Sequence, residues 1–300
     1  MSQKANVRQG REDRVFDAIN TTLLILFGLA VLYPLYIIII SSISDPAAVA
    51  SGEVLFLPRG FNIGGYAAVL SDPRIGMGFL NSTFYTLAGT ILNVICTLLA
   101  GYSLSRKDLF GAGIITAFLI FTMYFQGGLI PTFILVRNLG LYGTRLIMIV
   151  MDIVWIYLII IARTYYRTTI PDELLEAARI DGCHDGQFFV HVVVPLSAAL
   201  TAVLALFYGV AHWNQYFRGL VYLRSKEMWP LQLVLREILI LQQMIANDPN
   251  AAGDISQEFF DRSELVKYAL IMVASIPMLV LYPLVQRYFV RGVMIGSVKG

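Results

Sequence analysis

Apolar residues run for about 20 positions or more, nearly uninterrupted by charge, in six stretches of this 300-residue chain: near 20–41, 79–105, 112–136, 146–166, 195–217 and 265–286. A helix rises about 1.5 Å per residue, so about 20 apolar residues cross a hydrocarbon core of about 30 Å. Each stretch therefore predicts a transmembrane helix. The first follows basic residues, and Ala48-Val49-Ala50 imitates a cleavage site, but its run from Thr21 to Ile40 is too long for a signal peptide.

Between the fourth and fifth stretches the pattern changes to polar residues with a helical period. Pro171 suits a first helical turn, and Asp172, Glu173 and Glu176 put negative charge near the positive end of the helix. Leu174, Leu175 and Ala178 fall on one face at three- and four-residue spacing, with Arg179 among the polar remainder. Gly182 lets the chain turn, and Gln187–Val194 predicts a second helix leading into the fifth span. Small Ala177 and Ala178 allow close approach from outside. Two readings follow: a soluble partner grips this helix–turn–helix, or it lies on the lipid surface. Two connections are long, 42–78 and 218–264, and the second contains a helical run from Leu231 to Met244.

Composition supports the membrane reading. At 57% hydrophobic and 14% charged residues, with a mean hydropathy of +0.70, the chain is too apolar for an ordinary soluble domain. A net charge of +2 without a basic block excludes nucleic-acid binding as a function class. Basic residues orient the chain: Lys4, Arg8, Arg11 and Arg14 before the first span, Arg106 and Lys107 in a short turn, and Arg287, Arg291 and Lys299 at the end predict cytoplasmic termini. The asymmetry is modest, since Arg218, Arg224, Lys226, Arg236 and Arg262 lie in the 218–264 connection on the opposite side. Cys96 and Cys183 cannot build a disulfide framework. The expected fold is an all-α integral membrane protein with six transmembrane helices and a cytoplasmic helix between spans 4 and 5. Residues 1–19 form a cytoplasmic lead, 20–286 the membrane domain with the polar loop at 167–195, and 287–300 a cytoplasmic tail.

The polar loop resembles a known motif. Glu176-Ala177-Ala178, three residues, Gly182, nine residues, Val192, then Val194-Pro195 match the EAA loop of the inner-membrane permease subunits of binding-protein-dependent ABC importers, with Val194 where leucine is usual. Gly127-Gly128-Leu129-Ile130-Pro131, Leu139-Gly140-Leu141, Trp213-Asn214 and Trp229-Pro230-Leu231-Gln232 resemble the carbohydrate importers, in the subgroup of the lipoprotein-named permease C. The ending, Gly292 to Gly300, resembles the tail of the smaller maltose permease. The resemblance implies a type I ABC importer permease in a bacterial inner membrane. Implied partners are a second permease, two ATP-binding subunits that carry ATP and magnesium, a solute-binding protein and an oligosaccharide. It further implies that Glu176, Ala177, Ala178, Asp181, Gly182 and Pro195 couple to the ATPase, and that Gly296, Ser297, Val298, Lys299 and Gly300 enter the ATPase interface.

Catalytic patterns are missing: the chain has no HExxH, no GxSxG and no phosphate-binding GxxxxGK[ST], so it is not expected to hydrolyse ATP or to act as an enzyme. His184 and His191 lack further ligands at useful spacing, and no metal is expected. Charge inside a span is costly, which makes Asp152 a candidate pathway residue needing a partner or water. His212, Trp213, Asn214 and Tyr216 stand at a similar predicted depth. Either these residues form a polar wall touching sugar, with Trp213 or Tyr216 as a stacking platform, or they bond helix to helix as Asn81, Asn93 and Gln126 would. The competing function is an ion-coupled secondary sugar transporter working through Asp152, a reading that leaves the EAA segment unexplained.

Overall fold

Among the described residues, two of the six apolar stretches form single helices long and apolar enough to cross a membrane. The structure, a computed structural model, describes residues 10–247, 266–281 and 283. Helix α1 (Arg11–Ser41) carries the first stretch and starts well before residue 20, because the polar residues before it are also helix formers and the Asp13 carboxylate accepts from the Gly10 N–H at 3.0 Å. Two short helices, α2 (Pro46–Ala50) and α3 (Gly64–Ser71), follow in the first long connection. Helix α4 (Pro73–Ser105) carries the second stretch; the Asp72 carboxylate accepts from the Arg74 N–H at 2.8 Å and Pro73 sits at its first position.

The third, fourth and fifth stretches depart from the expected single helices, whereas the described part of the sixth is one helix. The third divides into α5 (Ala112–Tyr124) and α6 (Leu129–Asn138), bent by 113°. Gly127 and Gly128 interrupt the helical ladder, and Pro131 follows within the first turn of α6. The fourth divides into α7 (Ile147–Val150) and α8 (Ile156–Thr169), separated by extended backbone with Asp152 at φ 55°. After α9 (Asp172–Ile180) and α10 (Asp185–Phe188), one π turn (Phe189–Val193) and α11 (Val194–Leu196) lead to α12 (Ala198–Trp213) at an 80° bend. Pro195 supplies no N–H, and the Ser197 hydroxyl donates to the Val193 carbonyl at 2.6 Å, so the ladder breaks there. The lead-in to the fifth span is thus not collinear with it. Helices α13 (Phe217–Tyr222), α14 (Leu231–Asn247) and α15 (Val266–Leu281) complete the described chain, α14 covering the predicted run to Met244. The tail residues Gly296 to Gly300, with Lys4, Arg8, Arg262, Arg287, Arg291 and Lys299, lie outside the described residues.

The chain divides into two compact units, Met1–Ser71 with Leu241–Val273 and Asp72–Ile240 with Ala274–Gly300. In the first, the connection after α1 folds back on itself: the Asp45 N–H donates to the Arg59 carbonyl at 2.8 Å, the Asn62 N–H to the Ile43 carbonyl at 2.9 Å, and the hydroxyls of Ser42 and Tyr66 meet at 2.8 Å. Nearly all of the apolar surface of α1 is exposed, as expected of a helix that meets lipid or another subunit.

In the second unit α4 is the central post, packed along α8 and α12. Its polar side chains tie it to distant segments. Asn81 donates to the carbonyls of Glu227 (2.8 Å) and Trp229 (3.1 Å), Tyr85 to that of Met228 (2.8 Å), and the Ser82 hydroxyl accepts from the Leu231 N–H (2.8 Å). Lower on the helix, the Thr97 and Tyr208 hydroxyls meet at 2.7 Å. Gly89 lets α12 approach: a Cβ there would lie 2.4 Å from the His212 ring. His212 is fixed by Asn93, so the ring cannot step aside. Gly89→Ala is therefore expected to destabilise the bundle by about 1–3 kcal/mol, as overpacking does, read as a lowered melting temperature of the purified chain in detergent.

Candidate functional site

The polar loop forms the expected short helix. Helix α9 starts after Pro171, with Asp172 and Glu173 in its first turn and Arg179 in its last. It ends where Gly182 takes φ 77°: the Gly182 N–H donates to the Arg179 carbonyl at 3.1 Å and the Cys183 N–H to the Ala178 carbonyl at 2.9 Å. Past this turn His184 and Gln187 cap α10 reciprocally, the Gln187 N–H donating to His184 Nδ1 and the His184 N–H to Gln187 Oε1.

The buried face of α9 is narrower than its spacing predicts. Leu175 is buried and Ala178 half-buried, whereas Leu174 stays exposed, because only one side of so short a helix meets the bundle. Glu176, Ala177, Asp181, Gly182 and Pro195 are exposed. Leu175 enters an apolar cluster with Phe188 and Val193, which continues through Tyr166, Ala162 and Leu158 of α8 to Leu98 of α4 and Leu204 and Tyr208 of α12. The base of the membrane bundle and the polar loop share one continuous core.

Ion pairs set the register of the loop. Lys107 binds Asp172 at 2.7 Å, and Arg179 reaches both Asp108 and Asp185 at 3.3 Å. The hydrogen bond between Lys107 and Asp172 raises the lysine's pKa and lowers the carboxyl's below its ordinary value. Both groups are fully exposed, so the pair directs geometry and adds little stability. Arg163 and Arg167 donate to the carbonyls of Leu104 (3.1 Å) and Ser105 (3.3 Å), satisfying the open end of α4 beside the loop.

A second site lies where the third and fourth stretches are broken. A cleft of about 840 Å³ is lined by residues from both breaks, among them Gln126, Asp152, Trp155 and Tyr157. Asp152 finds its partner in Arg218, at 2.9 Å, and Arg218 also donates to the Met148 carbonyl at 3.4 Å. The Asn93 amide donates to the carbonyls of Gly89 (2.9 Å) and Ile153 (3.3 Å) while its oxygen accepts from His212 Nε2 at 3.2 Å, the amide orientation that satisfies both ends. The N–H of Trp155, the residue just before α8, donates to the Tyr208 hydroxyl at 3.0 Å.

Of the five residues predicted for a pathway, Asp152 alone lines this cleft. His212 borders a small void of about 20 Å³ beside it, together with Asp152 and Arg218. Trp213 is no platform: it is buried, its Nε1–H donates to the Ala274 carbonyl at 2.9 Å, and its ring meets Phe79 edge-on. Asn214 donates to the Val210 carbonyl at the end of α12, and Tyr216 lies under Arg236. Gln126, expected between helices, lines the cleft instead. Sequence reasoning missed Trp155, Tyr157 and Arg218; the Trp155-x-Tyr157 spacing just after an intramembrane acid was the available signal.

An all-α bundle with an exposed, glycine-ended helix keyed into its base and a cleft at two broken spans defines a membrane transport component. No protein-family model matches the chain. It is similar to the polygalacturonan/rhamnogalacturonan transport system permease protein YtcP of Bacillus subtilis (strain 168), 35% identical over 96% of this chain and 100% of the relative. Protein LplC of the same organism is 33% identical over the full length of both. In three dimensions the chain matches one from the crystal structure of a bacterial ABC transporter involved in the import of the acidic polysaccharide alginate, with a TM-score of 0.85, 33% identity and coverage of 95% of this chain and 100% of that one. The chain belongs to the family of permease subunits of sugar ABC importers. It is a transport component and not an enzyme.

Removing the Leu175 side chain should loosen the loop from the bundle. In a chain with Cys96 replaced by alanine, Leu175→Ala is expected to speed maleimide labelling of half-buried Cys183 severalfold, since truncating a buried leucine costs about 2–5 kcal/mol; an unchanged rate would place the anchor elsewhere.

Proposed function

We propose that this chain forms half of the translocation pathway for an oligosaccharide, opposite a second homologous permease, with two ATP-binding subunits at one face and a solute-binding protein at the other. Helix α9 is the coupling helix. Its exposed Glu176, Ala177, Asp181 and Gly182, with half-buried Ala178, present a short rigid ridge to an ATPase cleft, and Pro195 sets the bend that turns the loop into the fifth span. The observation that carries the reading is the continuous packing from Leu175 to Tyr208, which lets a force applied at α9 reach the wall of the cleft. ATP and magnesium belong to the partner subunits, and this chain needs no cofactor of its own. The end bearing α9, with both termini, faces the cytoplasm, in keeping with Arg106, Lys107, Arg163 and Arg167 clustered there. The tail Gly296-Ser297-Val298-Lys299-Gly300 enters the interface between the ATPase subunits, and the connection after α13 faces the binding protein.

Purified complex in proteoliposomes tests this directly. Glu176→Lys reverses charge on the exposed ridge without touching the core, and is expected to lower both ATP-driven uptake and binding-protein-stimulated ATP hydrolysis at least about tenfold while the chain inserts normally, the equivalent of about 1.4 kcal/mol at the docking surface. Uptake that continues without any ATPase subunit would sink the reading in favour of an ion-coupled carrier. A companion change, Gly182→Pro, cannot adopt φ 77° and should behave in the same way.

A further inference from the structure

Tyr157 stacks on Trp155 at the wall of the cleft, ring centroids 5.7 Å apart and planes inclined by only 26°, and the buried Tyr208 ring meets Trp155 at 5.1 Å, so Trp155 backs the stack and Tyr157 is its outer ring. Tyr157 is 40% exposed, so its face is open to the cleft. Thr122, Gln126 and Thr132 line the same space. Aromatic faces with a few convergent polar groups in a volume of about 300–1,000 Å³ are the general form of a small-ligand site, and flat rings take the C–H face of a pyranose.

The charge on this wall has one sign. Among the described lining residues no lysine, arginine or histidine occurs, and Asp152 is the one carboxylate. Its partner does not cancel it toward the cleft: the Arg218 side chain is 17% exposed and lies behind the wall, whereas that of Asp152 is 58% exposed and on it. The pair therefore turns its negative end to the ligand. A carboxylate accepts hydrogen bonds and donates none, so it suits sugar hydroxyls and opposes a second carboxylate.

Building on the permease reading, we propose that this cleft is a pyranose-stacking subsite on Tyr157, backed by Trp155, that takes neutral sugar units, with Asp152 selecting hydroxyls over carboxylates. Arg218 is a positioning residue that holds the Asp152 carboxylate in its left-handed backbone setting. Any uronate in a mixed oligosaccharide would be turned toward the opposite permease.

The test uses the full complex in proteoliposomes, with a uronic tetrasaccharide and the same molecule after reduction of its carboxyls to alcohols. Wild type is expected to take up the neutral form faster; Asp152→Asn should raise the uronic-to-neutral uptake ratio about fivefold, and Asp152→Glu should leave it unchanged, specificity being a difference of two affinities. Tyr157→Ala should lower uptake of the neutral form about tenfold while binding-protein-stimulated ATP hydrolysis persists, the mark of a lost sugar contact and not of a lost coupling. A ratio that Asp152→Asn moves by less than about twofold, or wild-type uptake in Tyr157→Ala, would overturn the subsite. Failure of the parent reading looks different: wild type would then show neither ATP-dependent uptake of either sugar nor stimulated hydrolysis.

Discussion

Backbone that unwinds among apolar spans has no water to bond, so every freed group must find a partner in the protein. Side chains from three helices supply partners to the stretch from Met151 to Trp155 and the turn before it. Asn93 of α4 donates to the Ile153 carbonyl, Tyr208 of α12 accepts the Trp155 N–H, and Arg218 of α13 binds both the Asp152 carboxylate and the Met148 carbonyl. One irregular segment thereby fixes three helices relative to one another. The bundle can hold a cleft open at this level because the polar cost of doing so is met side chain by side chain.

The same network sets where the mechanics begin. Helix α8 starts at the Tyr208 hydroxyl and ends at Thr169, three residues before α9, so a rod of about 21 Å joins the two sites. Its buried face belongs to the cluster that holds Leu175. Packed interiors shift between discrete arrangements and do not stretch, which suits α8 to the coupling role proposed for α9. Exposed ion pairs around Arg179 and Lys107 keep the loop in register without locking it.

Some of the site was legible before any coordinates. Pro171, the acidic first turn and Gly182 mark the ends of α9 by local backbone chemistry, and the structure places both ends there. Asp152 was conspicuous as charge in an apolar run. Its partner was not, since Arg218 lies 66 residues away and reads as an ordinary loop cation. Trp213 misled for a related reason: an aromatic beside polar residues signals a ligand platform or an interhelical bond equally well, and only the Ala274 carbonyl decides between them.

Taken alone, the chain's sequence determined that this is an all-α membrane protein with a polar, glycine-ended helix between its fourth and fifth apolar stretches, because hydropathy, capping and turn chemistry act over a few residues. Tertiary structure alone decided that the fourth stretch is broken, that its break and that of the third face one cleft, and that Leu175 shares a core with Tyr208. Apolar composition reports whether a segment belongs in lipid and is silent on whether its hydrogen-bond ladder continues. That depends on partners such as Asn93, Tyr208 and Arg218, which only the folded chain brings to the break.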